Sequence, residues 1–170
     1  MKIADLIKKR RSVRNYQNRK IANDKIQEII DAARFAPSAN NKQPWKVVIV
    51  REEILKQKLA DFSGQNFIAE APVILAPVAT NAQKIMSNDI PGYAVDLAIL
   101  TDHITLVAAE KGLGTCWIGA FDQEKVKNLL GVPEAYKIIA LLPLGYPADK
   151  PIKKSRKNLN QIICFEKFQE

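Results

Sequence analysis

Residues 93–119 read YAVDLAILTDHITLVAAEKGLGTCWIG. From Tyr93 to Lys111, apolar residues cover nearly every face of a helix: Val95, Leu97, Ala98, Ile99, Leu100, Ile104, Leu106, Val107, Ala108 and Ala109. A helix that is apolar most of the way round is buried, either centrally or against another subunit. Gly112 stops it. The run that follows, Gly112 to Gly119, invites a dinucleotide-binding reading and fails it. Trp117 stands where the last glycine of GxGxxG belongs, and the run follows a helix rather than a strand. A Rossmann arrangement is not supported. What remains is a long buried helix leading into a short extended piece, 114–119.

The flanking sequence alternates helical and strand patterns. Ile3, Leu6 and Ile7 predict a helix over 2–10, and Asn23 or Asp24 can cap a second one with Ile26, Ile29, Ile30 and Ala33 on one face, ended by Pro37. Lys46–Val50 reads as a buried strand, 52–61 as a short helix, and Pro72–Val78 as a strand with prolines at its start and near its end. A polar connection covers 80–91. Asp122 can cap a helix over 123–130 that Gly131 stops. Residues 137–144 predict another buried strand, and Ile162–Phe165 a possible strand in the tail. There is no internal repeat and no linker. The pattern is a single α+β domain over 1–170 with a central sheet.

Composition bounds the function. With 47% hydrophobic and 26% charged residues, the 170-residue chain is of ordinary globular type. No run approaches the roughly 18 uninterrupted apolar residues that cross a bilayer. The N-terminal residues lack the apolar core of a signal peptide, so the expectation is a cytoplasmic protein without a membrane partner. Cys116 and Cys164 lie far apart, which argues against a disulfide framework, and His103 is the sole histidine, so a His-rich metal site is not expected. Cys116 has no nearby His or cationic run in sequence and reads as a small packed residue.

The net charge of +8 gathers in two places, Lys8–Arg14 and Lys150–Lys157. Clustered Lys and Arg suit nucleic-acid phosphates, or the two sides of one small phosphate site. No recognition helix, aromatic RNA-binding pattern or zinc finger accompanies them. In RRSVR (10–14), an extended chain would turn Arg10, Ser12 and Arg14 to one wall, and the planar guanidinium binds two phosphate oxygens at once. A solvated basic patch, or charge complementarity at a helix C-terminus, is the bland alternative. APSANNKQPW (36–45) offers Ser38, Asn40, Asn41 and Gln43, which can read the edge of a heterocycle or satisfy their own turn. Pro44-Trp45 locks that loop onto the core.

RRSVR, APSANNKQPW, GLGTCWIG, LPLGYPAD and KKSRK, in this order and spacing, resemble the FMN-dependent nitroreductase family over residues about 8–157. The resemblance implies an α+β sandwich, a mixed or antiparallel sheet flanked by helices, in an intertwined homodimer with tightly bound FMN at the subunit interface. Arg10, Arg11 and Ser12 would hold the phosphate and ribityl chain, with Lys154 and Arg156 closing over the phosphate. Arg14 would lie near N1 and O2 of the isoalloxazine. Pro37, Ser38, Ala39 and Asn41 would come from the partner subunit. Pro143, Leu144 and Gly145 would lie against the ring, and Gln65 or Asn66 would match an amide on its pyrimidine edge. The implied activity is NAD(P)H-dependent reduction of nitro compounds, quinones or enones by a ping-pong route. No side-chain nucleophile or acid–base dyad is needed, because the cofactor carries the chemistry. A cation at Arg14 would stabilise the negative charge that develops near N1 and O2. The alternatives are a flavin-binding or electron-transfer protein without NAD(P)H turnover, and a basic nucleic-acid-binding domain. The modest 80–91 segment leaves the acceptor open.

Overall fold

The computed structural model describes residues 2–83, 85–152 and 154–169. Its helices are α1 (Ile3–Lys9), α2 (Asn23–Ala33), α3 (Glu53–Ser63), α4 (Phe67–Glu70), α5 (Gly92–Glu110) and α6 (Gln123–Leu130). Its strands are β1 (Trp45–Val50), β2 (Val73–Ala79), β3 (Gly114–Thr115), β4 (Lys137–Ile138) and β5 (Leu142–Gly145). The strands run in the order β1-β2-β5-β3, with β4 beside β2, and every named pairing is antiparallel.

β2 is central, and all seven of its residues are buried. Successive strand side chains point to opposite faces. Val73 and Leu75 join Leu142, Leu144, α2 and α5 in one core cluster. Ile74, Ala76 and Val78 join Leu59, Val126 and Leu141 in the other, under α3 and α6. The molecule is thus three layers, with helices on both faces of an antiparallel sheet. By length and composition alone, α5 is long and apolar enough to cross a membrane. Here it packs on α2, β2 and β3, with Leu100, Ile104 and Ala108 in the shared core. Its other flank stays open: Val95 is exposed, and Ala98, Ile99, Leu106 and Ala109 are only half-buried.

Several expected elements differ. The strand at 46–50 is an edge strand, with Lys46 and Ile49 exposed and only Val50 fully buried. The α2 cap is Ala22, while the Asp24 carboxylate takes the Lys25 N–H. That helix closes at Ala33, before Pro37. The expected strand 137–144 is broken. Ile138 pairs with Val78 and Leu142 with Leu75, so residues 139–141 face only residues 76–77. Three against two is a one-residue bulge. Pro77 sits opposite it and has no N–H to give; its carbonyl accepts from Ile139 N at 3.3 Å. The displaced segment pairs on its other side, where Leu141 and Ile118 exchange bonds of 2.9 and 3.0 Å.

The tail forms no strand among the described residues. It makes a short 3₁₀ turn, Leu159–Gln161, held by an Asn158–Gln161 capping box. Ile162, Phe165 and Phe168 beyond it are exposed.

Candidate functional site

After α1, residues 12–17 run as an extended strap along the sheet edge. Val13 N donates to Thr115 O (2.9 Å), Gln17 N to Tyr146 O (2.9 Å), and Ala148 N to Asn15 O (3.0 Å). Two glycines seat this strap. A Cβ on Gly114 would stand 2.3 Å from Val13 Cγ2, and one on Gly145 would stand 2.7 Å from Tyr16 Cδ1 and Pro72 Cδ. Gly114 and Gly145 face each other across β3–β5. The paired glycines therefore admit Val13 and Tyr16 side by side. The Tyr16 hydroxyl donates to Val13 O at 2.8 Å and lies 3.4 Å from Pro143 O, which ties the strap to β5. Burial pushes the Tyr16 phenol far above its ordinary pKa; the neighbouring Cys116 adds to this and Arg14 opposes it.

With Val13 and Tyr16 turned inward, the polar side chains of the strap face out. Arg10, Arg11, Ser12 and Arg14 line a cleft of about 260 Å³ together with Lys154, Arg156, Asp149, Pro151 and Ile152. Residues some 140 positions apart in the chain share this wall. Among the described residues, none of its five cations is paired with a carboxylate. The Arg11 guanidinium donates to Lys8 O and Arg10 O, and that of Arg156 to Ser155 O. Asp149 is turned aside by the Asn15 amide at 3.4 Å. Lys153, part of the second basic cluster, lies outside the described residues. A concave surface with this excess of fork-shaped donors and one hydroxyl suits a phosphate monoester.

Cys116 lies beneath this cleft, which corrects the expectation that no cationic run is near it. Burial raises its thiol pKa, while Arg14, a hydrogen bond with Ser12, Lys154 and Arg10 each pull it down. Burial wins, so the thiol stays protonated and packed.

The remaining expected site residues lie elsewhere. Pro143, Leu144 and Gly145 are buried in β5 between β2 and β3, with Leu144 in the core under α5, and none of them lines the cleft. Gln65 and Asn66 are exposed on the α3–α4 turn, and neither lines the cleft. Pro37, Ser38, Ala39 and Asn41 also lie outside it. Their loop is knotted on itself: Gln43 N donates to Ser38 Oγ (2.9 Å) and Gln43 Nε2 to Asn41 O (3.0 Å). Ala39 N donates to Asp96 Oδ1 on α5 at 3.0 Å. Trp45 packs against the core and anchors the loop's end. Sequence reasoning passed over Asp96 and Tyr16. Asp96 had left a trace, a single acid inside the apolar run 94–100.

A larger cavity of about 710 Å³ opens beside Gln17, Lys20, Arg51, Lys56 and Glu70. Its buried cation is already satisfied, because Lys56 Nζ bonds Ala69 O (3.2 Å), Ala71 O (2.8 Å) and Glu53 (3.0 Å). Its lining holds three cations, Lys20, Arg51 and Lys56, against two carboxylates, Glu53 and Glu70, whereas the smaller cleft holds five against one. The smaller cleft has the larger uncompensated charge.

Comparison with known proteins bears on the family and the fold. The model of the nitroreductase family matches residues 7–67 and 60–146. The crystal structure of a nitroreductase family protein from Clostridium novyi NT is similar at TM-score 0.83 and 36% identity, covering 91% of this chain and 89% of that one. A Bacillus subtilis protein named FMN reductase (NAD(P)H) is 32% identical over 86% of this chain and 66% of its own length. A Thermus thermophilus protein named NADH dehydrogenase is 30% identical over 92% of each chain.

Proposed function

The chain belongs to the nitroreductase family, and we propose that it is a homodimeric FMN-dependent oxidoreductase driven by NADH or NADPH. The observation that carries this is the cleft, where Arg10, Arg11, Ser12, Arg14, Lys154 and Arg156 meet without carboxylate partners. Its donor set fits the phosphate end of FMN, whose two negative charges need several fixed cations. When bound, FMN would supply hydride-transfer chemistry between the nicotinamide and a nitro compound, quinone or enone, in a ping-pong cycle.

The protein's part is to bind, orient and tune. Arg10, Arg11, Ser12, Lys154 and Arg156 hold the phosphate end. Arg14, on the same wall, provides positive charge beside the pyrimidine edge. The main chain of Pro143–Gly145 backs the ring, and Gln65 is an outlying amide for its rim. Pro37, Ser38, Ala39 and Asn41 of the partner subunit complete the pocket, which accounts for their distance from the cleft within one chain. The open flank of α5, the exposed Ile3 and Ile7 of α1 and the apolar tail supply an interface for that partner. A small-molecule acceptor follows the nicotinamide into the same slot, with no role for nucleic acid or membrane.

The purified protein is expected to be yellow, or to become so on mixing with FMN, and to bleach when NADH or NADPH is added without oxygen. Protein that stays colourless with added FMN overturns the reading. Bound flavin that neither nicotinamide bleaches favours an electron-transfer role.

A further inference from the structure

Asp96 is the only buried carboxylate among the described residues, at 7% exposure. Burying a carboxylate is costly unless hydrogen bonds repay it. Asp96 lies in the second turn of α5, and Lys42 shares with it the lining of a small void that Asn81 and Tyr93 also line. The compensation that the structure shows is directional: Asp96 Oδ1 accepts the Ala39 N–H at 3.0 Å.

That bond ends in an unusual loop. Asn40 (φ 54°), Asn41 (φ 53°) and Gln43 (φ 49°) all occupy the left-handed region without being glycine. Such residues persist only where the surroundings over-determine them. The bonds from Gln43 N to Ser38 Oγ and from Gln43 Nε2 to Asn41 O lie within the loop and move with it. Apart from Trp45 N to Gln43 O (2.8 Å) where the chain enters β1, Ala39 N to Asp96 is, among the described residues, the one hydrogen bond that ties residues 38–43 to another element, and the only one between residues distant in the chain. The loop's own knot also leaves the Asn41 Nδ2 donors and the Asn40 amide unpartnered among the described residues.

We propose that Asp96 is a positioning residue: its buried carboxylate holds the strained 38–43 loop on α5, in the shape that reaches the FMN of the partner subunit. This rests on the flavin reading above. Asp96 touches neither the cleft nor any reacting atom and acts only through the loop.

The test uses the purified full-length protein and its Asp96→Ala and Asp96→Asn variants. Amide hydrogen exchange is followed by mass spectrometry, and FMN affinity by fluorescence quenching. Asp96→Ala should speed exchange across residues 39–43 by about tenfold or more and weaken FMN binding by roughly tenfold, a single charge-assisted bond's worth. Protection across the middle of α5, residues 100–108, should stay intact. Asp96→Asn keeps an acceptor oxygen and should recover most of the affinity. Unchanged exchange at 39–43 in Asp96→Ala overturns the proposal. So does a loosened loop with wild-type affinity, or an Asp96→Asn variant as impaired as Asp96→Ala with α5 protection also lost. Wild-type protein that binds no FMN removes the flavin reading itself, whereas equal affinity in wild type and Asp96→Ala removes only the role of Asp96.

Discussion

Arg14 and Arg156 line the same cleft and are expected to fail differently. On the proposed reading, Arg156→Ala or Arg11→Ala would remove a charge-assisted phosphate contact, so FMN affinity should fall by about 1.5–3 kcal/mol, read by fluorescence titration. Arg14→Ala should leave FMN bound and lower its midpoint potential by on the order of 20–40 mV, equivalent to about 1–2 kcal/mol for a two-electron couple. An unchanged potential takes Arg14 away from the pyrimidine edge. Tyr16 makes a prediction in pH. Its folded pKa is raised by burial, so the folded state keeps the proton after the unfolded chain has lost it. The stability it contributes is complete below about pH 10 and declines as pH rises beyond that. Melting temperatures measured from pH 8 to 12 should therefore fall more steeply for wild type than for Tyr16→Phe, and parallel curves would refute this.

At the scale of elements, the strap and its glycine seats decide where the cations go. Gly114→Ala forces a methyl group into Val13. It should cost about 1–3 kcal/mol in urea unfolding and weaken FMN binding as well, because Ser12 and Arg14 ride on the displaced strap. A variant that is destabilised but binds FMN normally would separate the strap from the site. The sequence made much of this layer legible. Ile26, Ile29 and Ala33 mark the buried face of α2, and Asp122 and Gly131 bracket α6, because caps and periodicity are local signals. The break at 139–141 was hidden. Lys-Ile-Ile-Ala-Leu-Leu is apolar on both faces, so a one-residue change of register leaves no mark in hydrophobicity. The tail differs for a related reason, since Ile162 to Phe165 have strand-forming side chains but pair with no strand among the described residues. Of the site, the basic wall could be read because charge clusters survive in one dimension. Asp96 could not, because its partner Ala39 is 57 residues away and is met through a backbone N–H.

In the molecule as a whole, the cleft and the Ser38–Gln43 loop belong to the same chain but not to the same place. Each subunit would then own two half-sites and no complete one. This has a genetic form. Take one chain with a broken cleft, Arg156→Ala, and another with a broken loop, Asp96→Ala, and let their dimers dissociate and reassort. In a mixed dimer, one pocket collects both lesions and the other collects neither. Random reassortment of equal amounts makes half of the dimers mixed, so about a quarter of all pockets should regain wild-type FMN affinity from two impaired parents. Flavin titration of the mixture would show that tight-binding fraction appear with time. A site contained within one chain could never complement in this way.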